Sequence, residues 1–160
     1  MMRSTMATCV ALVLCGCCGY STRSLLPSHL RTVAVMQVDN ATDQPALGEN
    51  LTDALTAAFT VDRNLRLTTV DDANLVVSAT VEGYTRTAAS YTGEQNITAY
   101  ELTVSARVRV QDQVKDAQFY SGTVSSRTTY DPNAKTEEQA ASEAITRLAA
   151  EIVRQVLTAW

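Results

Sequence analysis

Beyond residue 18 the chain contains no cysteine. Its four cysteines, Cys9, Cys15, Cys17 and Cys18, all lie at the start, so no disulfide framework staples the body and no thiol nucleophile is available there. There is one histidine, His29, which rules out clustered imidazoles at zinc-ligand spacing and leaves a Cys-x-Cys-Cys motif at 15–18 without partners; no metal site and no cofactor are expected. Runs of Lys or Arg are missing too. The 13 basic residues are scattered against 17 acidic ones, for a net charge of −4, and nucleic acid is excluded as a partner because its phosphates demand a concentrated basic surface. No glycine-rich phosphate loop and no Ser, His and Asp constellation occurs, so an enzyme is not expected and no catalytic residue is assigned. Glu82 and Glu101 are the one carboxylate pair that adjacent strands could bring together, and solvated carboxylates on a polar strand face are the commoner outcome.

What is present suits one ordinary domain: 160 residues, 46% hydrophobic and 19% charged. The first stretch reads as an export signal. Arg3 supplies a positive start, and Met6 to Leu14 is apolar and uncharged but shorter than the roughly 20 residues that span a bilayer. It ends in Leu14, Cys15, Gly16, Cys17, which resembles the lipobox of bacterial lipoproteins. Residues 1–16 are therefore expected to be a lipoprotein signal peptide, with Cys17 as the acylated residue and Cys18 as the alternative. An ordinary secretory signal with incidental cysteines is the competing reading. A thioether-linked diacylglycerol with a further acyl chain anchors stably, whereas one chain alone holds a membrane weakly. With no Asp after either cysteine, the sorting pattern of such lipoproteins points to the outer membrane, on its periplasmic side.

Residues 17–31 are read as the lipidated start and a polar tether, and 32–160 as a single domain. Thr32 to Val38 is a short strand. From Gln44 to Asp62, Leu47, Leu51, Leu55, Ala58 and Phe59 recur at helical spacing, with Thr42 or Asp43 as the candidate cap. Leu65 to Val70 alternates briefly and adds a candidate short strand. Leu75 to Thr87, Thr98 to Gln111 and Gln118 to Tyr130 are long strand candidates. In the middle one Tyr100, Leu102, Val104, Ala106, Val108 and Val110 share one face, and Glu101, Thr103, Ser105, Arg107, Arg109 and Gln111 the other. Short turns between consecutive strands imply an antiparallel meander. Thr136 with Gln139 forms a capping box for a last helix, whose stripe runs Ala141, Ala144, Ile145, Leu148, Ile152 and Val156. The expected fold is α+β: a two-layer sandwich, with two helices on one face of a mainly antiparallel four-stranded sheet.

This order of elements resembles the lipopolysaccharide-assembly lipoprotein family, LptE. The matching stretches are Cys18 Gly19 Tyr20, Thr32 to Val35, Asp39 to Thr42, Asp72 to Val76, Tyr100 Glu101 Leu102 and Thr136 to Ala140. The resemblance implies a non-catalytic outer-membrane lipoprotein that plugs and scaffolds the β-barrel LptD of the lipopolysaccharide translocon and contacts lipopolysaccharide. In that alignment the anchor falls on Cys18, whereas the lipobox favours Cys17. From the residues themselves, the candidates for a phosphate-bearing headgroup are Arg107 and Arg109 on one polar strand face, Arg86 near the end of the preceding strand and Lys115 in a nearby turn. The alternative is a generic envelope lipoprotein that faces the periplasm and binds another ligand or protein.

Overall fold

The computed structural model describes residues 26–94 and 96–159. Cys17, Cys18 and the signal segment lie outside the described residues. The elements in chain order are β1 (Thr32–Val35), β2 (Asp39–Asn40), α1 (Leu47–Asp62), β3 (Arg66–Leu67), a 3-10 turn (Val70–Asp72), β4 (Leu75–Tyr91), β5 (Ile97–Asp112), β6 (Ala117–Tyr130) and α2 (Glu137–Thr158).

The architecture is α+β, with two helices against a sheet, but the sheet has six strands and is mixed rather than four-stranded and mainly antiparallel. Its order is β3-β1-β4-β5-β6, with β2 beside β4 beyond the end of β1. β1 lies parallel to both β3 and β4, and β2 is also parallel to β4. The β4–β5–β6 meander is antiparallel, as the short turns implied. The difference has a physical source: β1 is buried along Thr32, Val33 and Ala34, the continuous pattern of a strand flanked on both sides, β2 is two residues within a stretch that reads as a turn, and β3 is only two residues of the alternating Leu65–Val70 stretch. A parallel β1–β3 pair also needs a crossover, and α1 supplies it. Asn74 closes the β1–β4 seam, because its Oδ1 accepts from the amides of Arg31 and Thr32 and from the Thr32 hydroxyl.

α1 begins at Leu47, the first residue of its apolar stripe and three residues after the expected start at Gln44. Asn40, Thr42 and Gln44 bond to one another in a turn, so the Thr42 hydroxyl is not free to cap the helix. Pro45 follows, and the N-cap is Ala46 at φ 61, with no side-chain cap. Gly48 then allows the first turn to approach the β1–β2 link: a Cβ there would lie 2.4 Å from the Val38 carbonyl oxygen. α2 starts as expected, with the Thr136–Gln139 capping box formed in both directions.

Leu51, Leu55 and Phe59 of α1 and Leu148 and Ile152 of α2 pack against Val77 and Val81 of β4 and Leu102, Val104 and Val108 of β5. Each buried Leu or Phe contributes about 1.5–3 kcal/mol relative to exposure. Leu26 and Leu30 are also buried in this core, so the segment read as tether is packed over its described part.

Candidate functional site

The helices cover one face of the sheet, and the other face is mostly bare. On β5 the alternation read from the sequence holds: Leu102, Val104, Ala106, Val108 and Val110 point into the core, and Arg107 and Arg109 are exposed on the opposite side. The register sets Ser78 beside Arg109 and Thr80 beside Arg107 on β4, and Ser121, Thr123 and Ser125 on β6 continue the same face. The outcome is a hydroxyl-rich surface carrying guanidinium groups. Beside it lie the small buried cluster of Ala34, Ala73 and Val76 and the half-exposed side chain of Met36.

A bulge in β4 organises this surface. The register shifts between Val81 and Gly83, so Glu82 is the extra residue and its carboxylate reaches Arg107 at 2.6 Å from Nε and 3.3 Å from Nη2. Arg109 forms no ion pair among the described residues. Between it and the β1–β2 link lies a depression of about 380 Å³, bordered by Gln37, Asp39, Ser78 and Thr80. Arg109 is thus available to a phosphate or carboxylate, while Arg107 already has a carboxylate that a ligand must share or displace.

The bulge also reverses which β4 residues face the helices. Beyond it, Tyr84 and Arg86 pair with Val104 and Leu102 of the inward series, so Arg86 lies on the side opposite Arg107 and Arg109. There it binds Glu137 at the start of α2, and its guanidinium sits 4.5 Å from the centre of the Tyr100 ring. Tyr100 stacks on Tyr130 at 5.8 Å, and the Tyr84 hydroxyl donates to Glu137 at 2.8 Å. Burial, reinforced by Glu137, pushes the Tyr84 phenol above its ordinary range. Arg86 is committed to this cluster. Sequence reading missed the cluster because Glu137 reads as an ordinary acidic residue in a first helical turn, although the phase shared by Tyr100 and Leu102 on β5 was a usable signal.

Lys115 lies in the β5–β6 turn, where its amide donates to Asp112. The four sequence candidates therefore fall in three places, with Arg107 and Arg109 alone sharing one. Glu82 and Glu101 are not brought together. Glu101 pairs with Thr87 in the register, about 13 Å along the strand from the bulge. His29 binds the buried carboxylate of Asp112 at 2.9 Å.

At the end of the sheet opposite His29, β4 and β5 outrun β6, which stops where Tyr130 pairs with Tyr100. The remaining two-stranded hairpin holds Tyr91 opposite Ile97, 60% and 37% exposed, with the Ser90 and Thr98 hydroxyls 2.6 Å apart. Large apolar side chains at the tip of a projecting hairpin suit a docking contact. Among the described residues no helix is long and apolar enough to cross a membrane.

A protein-family model for lipopolysaccharide assembly, LptE, matches residues 30–160. The chain belongs to the LptE family. Solved structures share its fold at low identity. The hypothetical protein CT253 of Chlamydia trachomatis is 14% identical with a TM-score of 0.60, covering 80% of this chain and 96% of that one. Protein XCC0632 of Xanthomonas campestris is 13% identical with a TM-score of 0.61, covering 81% and 85%. A minor lipoprotein of Acinetobacter baumannii is 17% identical with a TM-score of 0.54, covering 81% and 94%. Against curated protein sequences the chain finds no match. For an LptE-family chain, the bare sheet face and the hairpin are the parts the core does not use, and they are the candidate working surfaces.

Proposed function

We propose that this chain is the lipid-anchored subunit of an outer-membrane lipopolysaccharide translocon, held on the periplasmic side and serving as plug and scaffold for the barrel LptD rather than as an enzyme. The observation that carries this reading is the one-sided burial of the sheet in a chain of this family. A hydroxyl-rich face studded with Arg107 and Arg109 suits the polar lumen of a large barrel and gains little from an apolar partner. The same guanidinium groups suit the phosphates of lipopolysaccharide, which they bind bidentately. Lys115 extends the positive character toward the β5–β6 turn, whereas Arg86 acts in this reading by holding β4 to α2. The anchor is Cys17, or Cys18 in the family alignment.

The test is affinity purification of the tagged full chain from detergent-solubilised membranes of its own host, with mass spectrometry of partners and of the N-terminal peptide. Recovery of a large barrel with an acylated Cys17 or Cys18 is the expected result. A barrel-free chain favours the generic envelope lipoprotein, and an unmodified N-terminus overturns the anchor. The double variant Arg107→Glu, Arg109→Glu separates the contact from the fold: it is expected to remain folded while losing barrel or glycolipid association.

A further inference from the structure

The helix layer carries a second surface, independent of the sheet face and of the translocon reading. α1 and α2 run in the same direction, and a cleft between them follows the length of α1, about 24 Å for its 16 residues. Its half near the helix starts, about 720 Å³, is bordered by the carboxylates of Asp53, Glu137 and Glu138. Its half near the helix ends, about 580 Å³, is floored by Ala54, Ala58 and Val153 and rimmed by Ala57, Ala150 and Val61, the last 79% exposed. Thr146 borders both halves, so they form one continuous cleft.

Charge and shape select the occupant. Glu137 is satisfied by Arg86 and Tyr84, but Asp53 and Glu138 have no ion pair among the described residues, and the one cation bordering the cleft, Arg154, is bound to Glu151. The acidic half repels a phosphate headgroup, which disfavours an anionic lipid. It also disfavours a second copy docked through its own helices, because α1 bears Glu49, Asp53 and Asp62 and no basic residue, and Arg147 and Arg154 of α2 are already paired with Glu143 and Glu151. With the proposed anchor at Cys17, the chain's own segment 18–25 offers eight residues with one cation, Arg23, too few to fill the cleft. Alanines along the floor permit the close approach of another backbone, as helix packing at 8–10 Å requires.

We propose that this cleft seats an amphipathic helix of a partner protein, with Lys or Arg side chains against Asp53 and Glu138 and apolar side chains over Ala57, Val61 and Ala150. The third helix completes a three-helix layer in the helix-in-groove mode. The probe is a fluorescent leucine–lysine helical peptide as long as α1, with its lysines grouped at one end, titrated into the detergent-purified full chain. Its counterpart carries glutamates in place of the lysines. The basic peptide is expected to bind, and the acidic one to bind at least about tenfold more weakly. Ala57→Trp, Ala150→Trp and Asp53→Lys each lie on the exposed rim and are expected to weaken the basic peptide about tenfold, with circular dichroism confirming the fold. Arg109→Glu, on the other side of the sheet, leaves binding unchanged. Equal affinity for the two peptides, retained binding in both tryptophan variants, or no binding of the basic peptide overturns the proposal.

Discussion

On β5, the even-numbered residues from Leu102 to Val110 are at most 1% exposed, while Arg107 and Arg109 between them stand in solvent. One strand therefore builds two surfaces under opposite constraints. The covered face is held by volume and the exclusion of water, so its side chains are interlocked with α2. On the bare face little holds a given side chain except its strand neighbours, which leaves its residues open to selection by a partner. The lesson is that stability and recognition in this protein are separated by the thickness of a sheet and interleaved residue by residue.

That contrast can be broken by paired substitutions. Leu102→Ala is expected to cost about 2–5 kcal/mol in denaturant unfolding, and its neighbour Thr103→Ala less than about 0.5 kcal/mol; similar values for the two would refute the division of labour. Thr128 is the covered face's own exception. It is 2% exposed, and its Oγ1 has no hydrogen-bond partner among the described residues. Thr128→Val is expected to gain about 1 kcal/mol, since it removes a desolvated hydroxyl at nearly constant shape; a loss of stability would show that the hydroxyl is satisfied in solution.

Asp112 continues the even-numbered series past Val110 and puts a carboxylate where an apolar residue would otherwise fall. Burial pushes its carboxyl upward, but bonds from His29 and from the amides of Lys115 and Val114 outweigh burial and hold it below the ordinary 3.8. A group depressed in the folded state stabilises fully above its unfolded value and loses that contribution as pH falls through the folded one. Stability should therefore decline as pH drops below about 3.8, and Asp112→Asn should make that acid limb shallower in unfolding measured across pH. Glu151, held at about 2 by Arg154 and Gln155, is common to both proteins and cancels in the comparison. The smallest effect belongs to the bare face: Arg109→Ala is expected to shift stability by less than about 0.5 kcal/mol. A larger change in the unfolding midpoint would mean that Arg109 holds the fold together rather than waiting for a ligand.

Both helices, the three long strands and the inward set on β5 were legible in the sequence, because each carries enough residues for its period to emerge. The capping box of α2 was legible for the same local reason. β3 showed only as the brief alternation of Leu65 to Val70, while β2 was not legible, nor was the start of α1, where Asn40, Thr42 and Gln44 spend their hydrogen bonds on one another. Of the candidate site, the pairing of Arg107 with Arg109 followed from strand alternation alone. Arg86 looked equivalent, and one extra residue at Glu82 sends it to the other side of the sheet.

What the sequence determined by itself was therefore what is carried within an element or a short motif: the amphipathic stripes, the long alternation of β5, the capping box of α2 and the family to which the chain belongs. Tertiary structure alone decided the parallel seat of β1 between β3 and β4, the burial of Leu26 and Leu30, the commitment of Arg86 to Glu137 and Tyr100, and the cleft between α1 and α2. Those features depend on contacts between residues far apart in the chain, and no local period encodes which strand edge, or which side of a bulge, a side chain will meet.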